Sequence, residues 1–186
     1  VRIHTLAQVF LPLSIIGLFE KNNFLDLTDP VMPEGSGEST YTIAPDEHTL
    51  VEYLRTTLQT QPGAVILPEG VSVKWWSKIA DNSIVDTHSK SLSVQKKTYL
   101  SLLAKSSDVV FGTRRTLLKR LGQYKHIYIV HEMLSQDINF GRRKIPLWMM
   151  AEFLEKHGHA IHYVSLTPSV RTLTHFLQQK KTIQYL

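Results

Sequence analysis

Cysteine is absent from all 186 residues. That excludes a disulfide framework, a thiolate zinc site, an iron–sulfur cluster and a cysteine nucleophile. It fits a reducing compartment, and a cytoplasmic location is expected. Long apolar runs are missing as well. The most apolar stretch, Leu6 to Phe19, has 14 residues and is interrupted by Pro12, too short to span a bilayer. Arg2 gives a weak basic start, but no small-residue cleavage site follows, so a signal peptide is not the reading. We read a buried helix over residues 5–19 and expect no membrane partner. The chain opens on Val1, as a processed or excised piece would. No Gly-x-Ser-x-Gly elbow occurs and no Gly-x-Gly-x-x-Gly follows a strand, so no independent enzyme signature is present.

What is present is ordinary globular composition, with 42% hydrophobic and 20% charged residues. Disorder, collagen-like sequence and a coiled coil are excluded on that ground. The length suits about one domain with a real core. The formal charge of +5 is unevenly placed. Residues 1–90 carry 6 Lys/Arg against 11 Asp/Glu (6 − 11 = −5), and residues 91–186 carry 15 against 5 (15 − 5 = +10). A basic half of that kind suits a polyanion or a solvated lysine-rich surface.

Turn formers cluster in residues 21–40, including Asp29-Pro30 and Pro33 to Gly37, and apolar periodicity is lost there. This is the one linker-like stretch. Beyond it, short β-branched runs at Tyr41–Ala44, Ala64–Leu67, Ser83–Val85, Asp108–Phe111, Ile127–Val130 and Ala160–Val164 alternate with helix-period stretches at Glu47–Thr60, Val71–Ile79, Val94–Ala104, Pro146–Lys156 and Ser169–Gln179. Apolar runs separated by amphipathic helices imply βαβ units and a mainly parallel sheet covered on both faces. The expected architecture is a three-layer α/β domain of about six strands, with ligand-facing loops at the carboxyl ends of the strands.

Those loops carry distinctive segments: Leu67-Pro68-Glu69, Gly112-Thr113-Arg114-Arg115, His131-Glu132 and Ser165-Leu166-Thr167-Pro168-Ser169. In order and spacing they resemble the first motor lobe of the primosomal replication-restart helicases, the primosomal protein N′ family of superfamily 2. That family has Val-Pro-Glu, Gly-Thr-Arg, Asp-Glu-Glu-His and Ser-Ala-Thr-Pro-Ser segments in the same order. The resemblance covers roughly residues 41–175, and His4 to Phe19 is similar to the end of the family's N-terminal DNA-binding region. It implies a RecA-like lobe over 41–186, preceded by a helix and linker over 1–40. It also implies single-stranded or forked DNA and replication proteins as partners, with ATP and Mg²⁺ as family cofactors.

The departures concern the nucleotide. A phosphate loop needs glycines whose N–H groups wrap the phosphates, a Lys and a Ser/Thr. The matching segment reads Ala44-Pro45-Asp46-Glu47-His48-Thr49. Only Thr49 survives, Pro45 has no N–H, and two carboxylates stand where phosphate should sit. They suit a helix N-terminus instead. The family's Mg²⁺-holding Asp is matched by His131, a poor ligand for an ion that prefers oxygen. Glu132 survives, and without nucleotide we expect it to be a solvated carboxylate at a strand end. The expected protein is thus a helicase-like DNA-binding lobe without ATP chemistry or cofactor. Residues 176–186 are too few for the second lobe that supplies transition-state arginines in such motors. Two alternatives stay open: an authentic ATPase with an unorthodox site in a longer protein, and a structural subunit that binds an acidic protein or RNA.

Candidate contacts follow. Thr113, Arg114 and Arg115 offer a hydroxyl and guanidinium groups at one strand end, in the loop that meets the nucleic-acid backbone in the family. Lys119 and Arg120 extend that basic surface. Lys74, Trp75, Trp76 and Lys78 mix aromatics with cations, as a base-stacking platform does; on a helix the two indoles point about 100° apart, so one belongs to the core. Arg142, Arg143 and Lys144 follow Gly141 in an expected loop. His157, His159 and His162 lack a completing carboxylate or thiolate and are read as a helix end followed by a strand, not a metal site.

Overall fold

The computed structural model describes residues 37–87, 91–104, 106–119, 121, 123–134, 138–140 and 143–186. The expected helix over 5–19, most of the linker, Arg120 and Arg142 lie outside these residues.

Seven strands form one sheet: β1 (Thr40–Ile43), β2 (Gly63–Leu67), β3 (Ser83–Val85), β4 (Val109–Thr113), β5 (His126–Val130), β8 (Ala160–Ser165) and β9 (Thr182–Tyr185). Their order is β3-β4-β2-β5-β8-β1-β9, and every pairing is parallel. A separate antiparallel hairpin joins β6 (Ile138–Phe140) to β7 (Arg143–Ile145). The helices are α1 (Glu47–Thr60), α2 (Val73–Trp76), α3 (Leu92–Leu103), α4 (Leu147–Lys156) and α5 (Val170–Gln178).

The central strands β2, β5 and β8 are mainly apolar because both faces of the sheet are covered. Alternate residues of β5 divide between two clusters. Ile127 and Ile129 pack with Tyr41, Leu102, Leu147, Ala151, Leu154 and Phe176, which brings in α3, α4 and α5. Tyr128 and Val130 pack with Leu50, Leu54, Leu58, Val73 and Trp76, which brings in α1 and α2. The result is a three-layer α/β domain. At the start of β2 the backbones approach so closely that a Cβ on Gly63 would lie 2.2 Å from the His126 carbonyl oxygen.

All six expected strands are present. The seventh, β9, closes the sheet beside β1 with a side of largely exposed or half-buried residues. The stretch Val71–Ile79 is not one helix: a four-residue α2 capped by Ser72 passes into a 3₁₀ turn over Ser77–Ile79. Arg143 and Lys144 belong to strand β7, not a loop. Ser39 is already buried, and its hydroxyl accepts from the Ile161 N–H at 3.0 Å, so packing begins just ahead of β1.

His157, His159 and His162 lie in different surroundings. His157 ends α4, and His159 is buried with Nδ1 2.8 Å from the Tyr124 carbonyl. His162 shares hydrogen bonds at 2.9 Å with Thr40 and with His126, and it stacks on Tyr128. Among the described residues no group of three His, Cys, Asp or Glu could hold a metal. Burial, with the nearby His126, pushes the His162 pKa down to about 4; burial, with Lys125 adjacent, lowers His126 as well. The unfolded chain therefore binds protons first, near pH 6.5, and the folded state resists until about pH 4. Stability is complete above pH 6.5 and falls as pH drops toward 4, by on the order of 1–3 kcal/mol. Urea midpoints at several pH values check this. The stability advantage of the wild type over His162→Gln should shrink across that window; a constant difference would contradict the coupling.

Candidate nucleic-acid interface

Because every strand runs the same way, the loops after β1, β2, β4, β5 and β8 emerge at one edge. Register confirms the alignment: Leu67 pairs with Thr113 and Ile43 with Ser165. Thr49 lies in the first turn of α1, Glu132 follows β5, and Thr167 follows β8.

The loop after β1 is used up locally. Asp46 caps α1 and accepts from the Thr49 N–H at 2.8 Å. That backbone hydrogen bond holds the exposed Asp46 carboxyl below its usual range. His48 is exposed. Glu47 reaches across the edge to His131, Oε2 to Nε2 3.0 Å. His131 itself sits in the left-handed region, at φ 49°, with its N–H donating to the Val164 carbonyl. Glu47, at the start of α1, and His131, just past β5, therefore touch one another.

Glu132 is not the solvated carboxylate expected. It is 7% exposed. Its Oε1 accepts from the Tyr41 hydroxyl at 2.5 Å and from the Ser169 N–H at 2.8 Å, tying β1 to the start of α5. Its Oε2 is buried with no partner among the described residues. Burial, together with the Glu132 charge, raises the Tyr41 pKa, so the hydroxyl stays protonated and donates. The signal was out of reach of local sequence, because the partner lies 91 residues away.

The loops after β2 and β4 build a different place. A cleft of about 490 Å³ is lined by Glu69, Ser72, Lys74, Thr87, Thr113 and Arg115. Three of the residues singled out for nucleic acid thus converge there. The Thr113 hydroxyl is buried with no partner among the described residues. Gly112 allows the chain to turn back, since a Cβ would meet the Thr116 hydroxyl at 2.0 Å.

The two adjacent arginines do different things. Arg114 has a side chain 8% exposed, gripped by Glu69 at both oxygens: Nε to Oε1 3.0 Å and a terminal nitrogen to Oε2 2.8 Å. Arg115 is half exposed and meets the same carboxylate only at 3.8 Å. Lys119 does not extend the basic surface. It is largely buried and pairs with Asp86 at 2.6 Å, where Thr116 also donates. Trp76 is core, 3% exposed, and Trp75 stands 50% exposed edge-on to it. Glu69 is the residue that sequence reasoning does not pair with Arg114, because 45 residues separate them.

The chain matches no family profile and no curated protein sequence. It is similar to the crystal structure of the DUF1998 helicase MrfA bound to DNA, at 13% identity and a TM-score of 0.44, over 94% of this chain and 27% of that one. It spans about a quarter of that helicase's length. Among the described residues no helix is long and apolar enough to cross a membrane.

The Tyr41–Glu132 bond yields a stability prediction. Tyr41→Phe removes one of two donors from a buried carboxylate, which costs roughly 1–3 kcal/mol. Chemical denaturation should show a lower midpoint, and Tyr41→Phe combined with Glu132→Gln should recover part of the loss.

Proposed function

We propose that this chain is a helicase-like DNA-binding domain, related to the primosomal replication-restart helicases, that grips the backbone of single-stranded or forked DNA without hydrolysing ATP. The observation that carries the reading is the convergence of Lys74, Thr113 and Arg115 on one cleft at the strand ends. Two cations and an unpartnered buried hydroxyl suit a phosphodiester oxygen. Exposed Trp75, next to Lys74 on α2, offers a face on which a base can stack. Arg143 and Lys144 on β7 add basic residues beyond β5. The resemblance adds replication proteins as a partner class.

The nucleotide half rests on what fills the loop after β1. Asp46 takes the N–H that a phosphate would need, and Glu47 closes on His131. A carboxylate pair repels a polyphosphate, and imidazole is a poor substitute for a carboxylate toward Mg²⁺. ATP with Mg²⁺ should neither bind tightly nor be hydrolysed. Titration calorimetry checks this, and micromolar affinity lost on changing Thr49 or Glu132 would overturn it.

DNA binding should weaken steeply with salt, because each phosphate contact releases counterions. In fluorescence anisotropy against labelled single strands, Arg115→Ala and Lys74→Ala should each lower the log–log salt slope by about 0.7. The loss should be similar for all base sequences, since backbone contacts carry no base information. An absence of binding at low salt would remove the DNA reading and favour an acidic protein partner.

A further inference from the structure

We infer that Glu69 is a built-in competitor for the backbone phosphate, and that it sets the affinity of the cleft by holding Arg115 loosely and Arg114 tightly. The inference rests on the DNA-binding reading and deepens it. One carboxylate faces two guanidinium groups with unequal geometry. Toward Arg114 the pairing is bidentate, at 2.8 and 3.0 Å, on a side chain almost wholly removed from water. Such a fork is the strong form of the ion pair, and separating it would strand a buried cation. Toward Arg115 the contact is one long approach of 3.8 Å between groups that are each about half exposed. Exposed pairs of that kind hold little free energy.

An arriving phosphodiester therefore meets two cations of different availability. It displaces Glu69 from Arg115 and leaves Arg114 where it is. Arg114 is a positioning residue: it fixes Glu69 in the lining of the cleft that Thr113 and Lys74 also line. Glu69 stays close to the bound phosphate, and like charges repel at that range. The cleft is thereby tuned to a single backbone charge that can be released, not to a densely charged polyphosphate.

The test uses the full chain with labelled single-stranded DNA at several salt concentrations. Glu69→Gln keeps an oxygen for the Arg114 Nε–H while removing the charge. It should bind about 2- to 5-fold tighter than wild type at low salt. In an Arg115→Ala background the same change should have much less effect, because the competition is for that side chain. Unchanged or weaker binding by a Glu69→Gln variant that circular dichroism shows to be folded, or an equal gain without Arg115, would overturn the inference while wild-type binding leaves the DNA reading standing. Absence of binding by both wild type and Glu69→Gln would remove both. A second measurement needs no variant to fold: in NMR of the wild type, the Arg115 Nε–H signal should move as DNA is added and that of Arg114 should not. Movement of Arg114, or a silent Arg115, would overturn the inference.

Discussion

Parallel pairing is the constraint from which the rest follows. A parallel strand cannot be reached by a tight hairpin; each needs a crossover, and the crossovers cover both faces. Here that makes β2, β5 and β8 mainly apolar, and buries every residue of β2 and β8, the polar His162 and Ser165 included. It also brings the strand ends together. Residues as far apart in sequence as Asp46, Glu69, Thr113, Glu132 and Ser169 become neighbours along a single edge without any local signal drawing them together.

Along that edge the acidic groups are mostly committed. Asp46 serves the first turn of α1, Glu47 meets His131, Glu69 holds Arg114, and Glu132 lies between Tyr41 and the α5 N-terminus. Asp86 is engaged by Thr116 and Lys119. Each pairing satisfies a donor that would otherwise be exposed or buried at a cost. Among the described residues, Arg115 meets a carboxylate only at 3.8 Å, and it lines the cleft after β2 and β4 together with the exposed Lys74. The half-by-half charge balance does not predict this grouping, since Lys74 comes from the acidic half of the chain and Arg115 from the basic half.

The strands and long helices were legible because their signals are local. Period-2 and period-3.6 patterns do not depend on partners, and Glu47–Thr60 is helical over the expected span. Short elements failed where the pattern was too brief to read. Ile138–Phe140 and Arg143–Ile145 are three residues each, and the basic residues of the second suggested a loop. Thr182–Tyr185 pairs only with β1, so its residues stay wet and its composition carries little of a core strand. The site was legible as a set of loops but not as a set of roles. Nothing in Gly112 to Arg115 says which arginine is buried, and nothing near Glu132 announces Tyr41.

Backbone geometry explains why adjacent arginines diverge. Thr113 ends β4 and Arg114 opens the following 3₁₀ turn. Successive side chains in such a tight turn point about a third of a turn apart, so one can enter the protein only if the next leaves it. Arg114 turns inward because Glu69, at the end of the neighbouring strand, neutralises it there; a buried guanidinium without that charge would cost about 3–5 kcal/mol. Arg115 is then directed to the mouth of the cleft by the same turn. The exposed cation and the buried pair are one arrangement, and the strand register that sets Leu67 opposite Thr113 is what permits it.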